Sequence, residues 1–335
     1  MYVRRNIRFK VIWRFTWRNL VYFTVWASFV TWLFGYFDQN GTNIGIPFLP
    51  LSTMGIAVAF YLGFKNSQSY DRFWEGRKIW GGIVNVSRHW ANQVLSYVTS
   101  PDDAITAEQL DLIKRRLILR QLSWINTLRI QLRKTTIFDR KNLTYVPDFG
   151  LVNDQECEDC IAYFLQSGEY LKVKDQANAA THILHLQGED LAALNSKKYF
   201  NDFRHMDMMK SIERLYDYQG MCERIKNTPF PRQYAYFSSV FVWIFVLLVP
   251  FGLIELFHSM EGDSTAWLNV PFSVLVSWVF VTMESIGDNS EDPFENYVND
   301  VPMSAICRTI EIDLLQMLKE PNIPPKMEPF GDVLL

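Results

Sequence analysis

Cys157 and Cys160 form a C-x-x-C pair, the spacing of thiol redox pairs and of half a zinc site. No second pair follows at zinc-ribbon distance and no βαβ pattern surrounds it, so incidental surface cysteines are the stronger reading. His182 and His185 lie three apart, near enough on one helix face to share a metal ion, against the competing reading of a solvated or partner-facing surface. Glu284, Asp288, Glu291, Asp292, Glu295 and Asp300 form a dense acidic run, and carboxylates at that density can coordinate calcium through oxygen. Their spacing matches no EF-hand loop, which favours a solvated cap or partners for nearby arginines. No glycine run builds a phosphate cradle at a strand-to-helix junction. With signatures of catalysis this scarce, the chain is expected not to be an enzyme and to need no cofactor, calcium being the one candidate left open.

A different chemistry is written in the segment from Gly55 to Phe64. Ile56, Phe60 and Phe64 recur at i, i+4 and i+8, while Gly55, Ala59 and Gly63 make a parallel stripe of small residues that lets helices approach closely. The bulky stripe either faces lipid or the bundle core, or lines a narrow apolar constriction of the kind that gates ions by dewetting. The second reading needs an oligomer, because four helices of one subunit leave little room for an aqueous path, whereas a ring of subunits can each give one helix to a central pore. Lys65 and Asn66, directly after the stripe, would then line a wider, wet vestibule.

The elements that must hold such a stripe follow from where charge is missing. Four windows carry no charged residue: Leu20 to Phe37, Gln39 to Phe64, Gln233 to Ile254 and Thr265 to Met283, of 18, 26, 22 and 19 residues. About 20 apolar residues cross a bilayer as a helix, so all four read as membrane spans. Of the 33 Lys and Arg residues, six precede residue 19, 24 lie between Lys65 and Arg232, and three follow Met283. The two short hairpins between spans carry none, so the positive-inside rule puts both termini and the long middle region in the cytoplasm. Residues 1–18, basic and aromatic, resemble an interfacial helix. The remaining parts are then spans one and two over 19–64, a cytosolic helical region over 65–232, spans three and four over 233–286, and a cytosolic segment over 287–335. A net charge of -3 excludes a basic nucleic-acid surface.

Between Lys65 and Arg232 apolar residues recur three and four apart, as in Leu110, Ile113, Leu117, Ile118, Leu122 and Ile125, and no strand-like alternation persists. With no proline between Pro50 and Pro101, the second span is expected to run on unbroken as far as Val98. Further helices are expected over Ala107 to Lys134, Asn153 to Leu165, Asp175 to Leu194 and Phe203 to Asn227, with 135–147 as a loop. The fold class is therefore an all-α membrane protein.

The stretches GIAVAFYLGFKNSQSYDRFWEGRKIWG from Gly55, CERIKNTPFP from Cys222 and EDPFENYVNDVP from Glu291 resemble, in this order, three signature blocks of the bacterial bestrophin homologues. That resemblance implies a homopentameric ion channel in the cell (inner) membrane, with one pore passing through a transmembrane neck and a cytosolic vestibule. The family's neck residues fall on Ile56, Phe60 and Phe64. Its second constriction, at the cytosolic exit, falls near His205, where five imidazoles could switch from neutral to positive near neutral pH. Animal members hold calcium in an acidic clasp, and Asp288, Glu291, Asp292 and Glu295 lie in or beside the corresponding block, which Pro293 interrupts as in bacterial relatives without the clasp. The partners implied are further copies of the chain, the lipid bilayer and permeating monovalent ions. Anions, chloride above all, are favoured, with sodium-type cation conduction as the alternative: helix N-termini near Pro47 and Pro50 attract anions, while the acidic outer hairpins attract cations. A membrane-bound enzyme and a non-conducting scaffold are the rivals from other classes.

Overall fold

The absence of proline between Pro50 and Pro101 is expressed as a single helix. In the computed structural model, which describes residues 1, 3–4, 6–101, 105–134, 161–261, 266–297, 299–330 and 332–335, α2 runs without a break over Phe48–Tyr97. Its 50 residues make a rod of about 75 Å at the α-helical rise. The other helices are α1 (Phe9–Gln39), α3 (Ala107–Arg133), α4 (Ser167–Val173), α5 (Ala179–Ser196), α6 (Asp202–Asn227), α7 (Arg232–Glu261), α8 (Asn269–Asn289) and α9 (Met303–Met317). The expected loop over 135–147, Cys157, Cys160 and most of the helix expected over 153–165 lie outside the described residues.

Four helices are long and apolar enough to cross a membrane: α1 within Phe15–Asp38, α2, α7 within Arg232–His258, and α8. These match the four charge-free windows. The basic N-terminal stretch is not a separate helix, since its residues 9–18 are the first turns of α1. There Phe9, Trp13 and Trp17 are exposed.

Local signals set the boundaries. Pro47 precedes α2, where a missing N–H costs nothing. Thr106 and Gln109 close a capping box on α3, each satisfying a backbone donor that the first turn leaves orphaned. The side chains of Asn178 and Asn201 cap α5 and α6 by accepting from Thr181 and Arg204. The short α4 and the C-terminal α9 escaped the sequence reading: the first has only 7 residues, and the second follows the acidic block directly.

Two cores result. In the membrane half Phe23 of α1, Leu51, Val58 and Leu62 of α2, Val242, Phe245 and Val246 of α7 and Val281 of α8 pack together. In the extramembrane body α2 meets α3, α6 and α9 around Trp80, Trp90 and Trp124. Both cores share one seam of α2. Leu51, Gly55, Val58, Leu62, Lys65 and Ser69 are buried at alternating steps of four and three, and the same rhythm resumes through Gly76, Ile79, Ile83, Val86 and Trp90. This is the spacing that keeps one helix face turned towards its neighbours.

The body is pinned by hydrogen bonds where tryptophan is buried. Trp90 Nε1 donates to the Leu117 carbonyl at 3.3 Å and Trp124 Nε1 to Gln219 Oε1 at 3.1 Å. Gln219 Nε2 then reaches Thr181 Oγ1 at 2.7 Å and Glu223 Oε1 at 2.8 Å, which ties α3, α5 and α6 through one side chain. Trp124→Ala removes both a buried indole and the donor to this hub, and should cost about 3–5 kcal/mol. Chemical unfolding of detergent-solubilised protein followed by fluorescence checks this, and a loss below that range would show that the hub repacks.

Candidate functional site

At about 100° of turn per residue, the buried seam of α2 from Leu51 to Ser69 fixes what lies on the opposite face. Ile56, Phe60 and Phe64 lie about 140–220° round from the centre of that seam, and they are 72%, 80% and 48% exposed. The three bulky side chains are therefore not part of the protomer's own core. In the small-residue stripe Gly55 meets a neighbouring helix within the protomer, where the Phe245 ring lies 3.0 Å from the position a Cβ would take; nothing lies within 4 Å of that position at Gly63. Beyond Phe64 the same outward face becomes mostly polar, passing through exposed Ser67, Asp71, Lys78, Asn85 and Asn92, with Trp74 an exposed aromatic among them.

Lys65 and Asn66 are not where a wet vestibule would need them. Lys65 is 1% exposed, and its Nζ donates to Glu284 Oε1 and to Asp288 Oδ1, both at 2.6 Å. Ser238 Oγ of α7 donates to the second oxygen of Glu284 at 2.7 Å. Asn66 donates to the Met283 carbonyl at 3.1 Å and occupies the space left by Gly287, where a Cβ would stand 2.0 Å from its Oδ1. The reason is periodicity: position 65 continues the 51, 55, 58, 62 seam and faces α7 and α8 regardless of its charge. Buried ammonium and carboxylate groups are costly unless paired, and removing one partner of such a set typically destabilises by about 3–5 kcal/mol.

His205 also faces its own protomer. Its ring stacks on Phe200 with centroids 6.0 Å apart, and its Nε2 is buried with no hydrogen-bond partner among the described residues. In the single protomer the residue is half-buried. Two residues earlier, in the first turn of α6, Phe203 is 85% exposed. Sequence reasoning missed it, although the Asn201 cap marks where that helix begins. The first turns of α6 are held to the far end of α2 by Asp207, whose Oδ2 accepts from Gln93 Nε2 at 2.8 Å and from the Tyr97 hydroxyl at 3.1 Å. The Gln93 hydrogen bond holds the Asp207 carboxyl below its ordinary value. Ser211 completes the contact by donating to Gln93 Oε1 at 2.8 Å.

The acidic block is divided among cations rather than gathered around a vacancy. Asp288 belongs to Lys65; Glu291 is fully buried, 3.5 Å from Arg232, and its carbonyl accepts from Arg72 Nε at 2.9 Å. Asp292 lies 3.6 Å from Arg72, and Glu295 lies 3.6 Å from Lys226. Phe294 sits in the core against Gly76, which fastens the block to α2. Among the described residues no group of three or more His, Cys, Asp or Glu side chains could hold a metal ion. His185, one of the two histidines considered as ligands, lies 3.3 Å from Glu189 on the same helix.

These elements define a helical membrane protein with an apolar stripe presented outward from one long helix and ion pairs behind it. The Bacterial/Fungal Bestrophin protein family model matches residues 4–316, and the chain belongs to that family. It is 32% identical over 291 residues to the voltage-dependent anion channel-forming protein YneE of Escherichia coli strain K12, covering 86% of this chain and 83% of that protein. It is 29% identical over 313 residues to the voltage-dependent anion channel-forming protein mll4386 of Mesorhizobium japonicum, covering 92% and 85%. Among solved structures, a bacterial bestrophin homologue from Klebsiella pneumoniae superposes with a TM-score of 0.75 at 25% identity, over 93% of this chain and all of that one.

Asp300 ends the acidic block. Its Oδ2 accepts from the Tyr297 backbone N–H at 2.9 Å, and burial pushes its carboxyl up from 3.8 to about 7. The folded protein thus holds this proton more tightly than the unfolded chain, so the stability it confers is complete below about pH 4 and is lost as the pH rises to about 7. Asp300→Asn cannot ionise and should flatten that part of the decline. Thermal unfolding of both proteins across this window checks it, and parallel curves would remove the assignment.

Proposed function

We propose that the chain is one subunit of a homopentameric channel that conducts anions, chloride above all, passively across the cell (inner) membrane. Each protomer gives α2 to a central axis, and Ile56, Phe60 and Phe64 form the neck. The observation that carries this is the exposure of those three side chains on the face of α2 opposite its buried seam. A single protomer leaves Ile56 and Phe60 largely bare and covers Phe64 only in part, beside the Tyr234 ring at 6.3 Å, and convergence of several copies on an axis covers all three while leaving a narrow, apolar, dewettable passage. Family membership and the printed names of the relatives support an anion channel, and point to conduction rather than catalysis. The polar continuation of the same face, from Ser67 to Asn92, takes the place of Lys65 and Asn66 as vestibule lining, and the exposed Phe203 takes the place of His205 at the cytosolic exit. The distribution of Lys and Arg supports cytoplasmic termini.

Apolar rings oppose all ions alike, so selectivity has to come from flanking charge. Cation conduction keeps one supporting observation: the outer hairpins carry no Lys or Arg, and His258 at that surface is already 3.6 Å from the Asp38 carboxylate. Planar-bilayer recordings of purified protein under a potassium chloride gradient separate the two. Reversal close to the chloride equilibrium potential is the expected result, and reversal close to that of potassium would overturn the anion assignment. In the same recordings Phe60→Ala should enlarge the unitary conductance severalfold. An unchanged conductance with normal assembly would place the stripe against lipid.

A further inference from the structure

A stripe can line an axis only if its helix is held in one rotational setting, and most of the membrane half of α2 offers little to enforce one. Its seam there is made of Leu51, Gly55, Val58 and Leu62. Such side chains pack against α7 and α8 with small differences between neighbouring settings, because apolar contacts are not directional. Lipid does not help, since its tails are as apolar as the seam itself. The next seam position is different in kind: Lys65 is buried beside Phe64, its ammonium held at 2.6 Å by carboxylates one turn apart on α8. Ser238 fixes the second oxygen of Glu284 from α7, and Asn66 keys into the space above Gly287 while donating to the Met283 carbonyl. Three helices meet at one directional, charge-assisted cluster immediately behind the last residue of the stripe.

We infer that Lys65, with Glu284 and Asp288, is a positioning set for the neck, fixing the rotation and register of α2 so that Phe60 and Phe64 face the ion path. The inference rests on the neck reading above and adds to it what aims the side chains. The physical precedent is general: a polar group at one position of an apolar helix seam specifies register at a cost in stability. A shift of α2 by one residue turns its faces by about 100°. It would carry Lys65 away from both carboxylates and leave the buried Glu284 without its ammonium partner, a penalty that no other seam residue of the membrane half imposes. The same shift in one direction would replace Ile56, Phe60 and Phe64 at the axis with Ala57, Tyr61 and Lys65, a different opening with a hydroxyl and an ammonium in it.

The test reads orientation directly. In a background carrying Cys157→Ser and Cys160→Ser, single Phe60→Cys, Tyr61→Cys and Val58→Cys variants are exposed in bilayers to a charged, water-soluble methanethiosulfonate while current is recorded. With the cluster intact Phe60→Cys should react and reduce the current, and Val58→Cys should be inert. The neutral triple Lys65→Met, Glu284→Gln, Asp288→Asn should slow reaction at Phe60→Cys severalfold and make Tyr61→Cys reactive, whereas Lys65→Arg should keep the parental pattern. If the triple does not assemble, Asp288→Asn alone, which leaves the Lys65–Glu284 pair, should move the two rates in the same directions by less. Parental rates at both positions in an assembled triple, or in Asp288→Asn where that variant decides, would overturn the positioning role. Inertness of Phe60→Cys with the cluster intact would instead overturn the neck reading itself.

Discussion

The buried seam of α2 is the constraint on which the rest depends. Packing by steps of four and three turns one face of a 50-residue helix towards α7 and α8 in the membrane and towards α3, α6 and α9 outside it. The proposed neck is then made of what lies on the opposite face. Burial, which is nonspecific in its chemistry, thus becomes specific in its geometry: it selects three bulky side chains to be left outside the protomer and hands over to polar residues on the same line once the helix has left the apolar zone.

The extramembrane body serves the same helix. The indoles of Trp90 and Trp124 are buried with their donors used, Gln219 bridges three helices, and the acidic block is paired with Lys65, Arg72, Lys226 and Arg232. Carboxylates that neutralise structural cations in a dry interior are poorly placed to exchange a metal ion reversibly, because each departure would leave a buried charge without its partner. The block acts as mortar between α2, α6, α7 and the start of α9.

Much of this was legible in the sequence because membranes simplify the code. Long charge-free windows have few explanations, and the four spans and the unbroken α2 followed from counting charges and prolines. The stripe of Ile56, Phe60 and Phe64 was legible for the same reason, being a periodic signal along a helix that was itself certain. What stayed hidden were the surroundings of single residues read by polarity alone. Charge alone points Lys65 to water, whereas its place in the 51, 55, 58, 62 rhythm turns it inward; its compensating carboxylates, Glu284 and Asp288, lie more than 200 residues away and cannot be seen locally. His205 was placed by counting across a stretch of weak resemblance, and the side-chain direction that separates it from Phe203 depends on where the Asn201 cap starts the helix. The pairing of the acidic block was named only in kind, because which arginine meets which carboxylate is a tertiary fact.

The unbroken length of α2 makes it a lever arm as well as a wall. Helices respond to a change in hydrocarbon thickness by tilting, and a rod of about 75 Å that tilts by about 3° as a rigid body displaces its far tip by about 4 Å. That tip carries Gln93 and Tyr97, which grip Asp207 at the start of α6. Bilayer thickness therefore has a mechanical route to a point far outside the lipid, transmitted by a strut that no hinge interrupts.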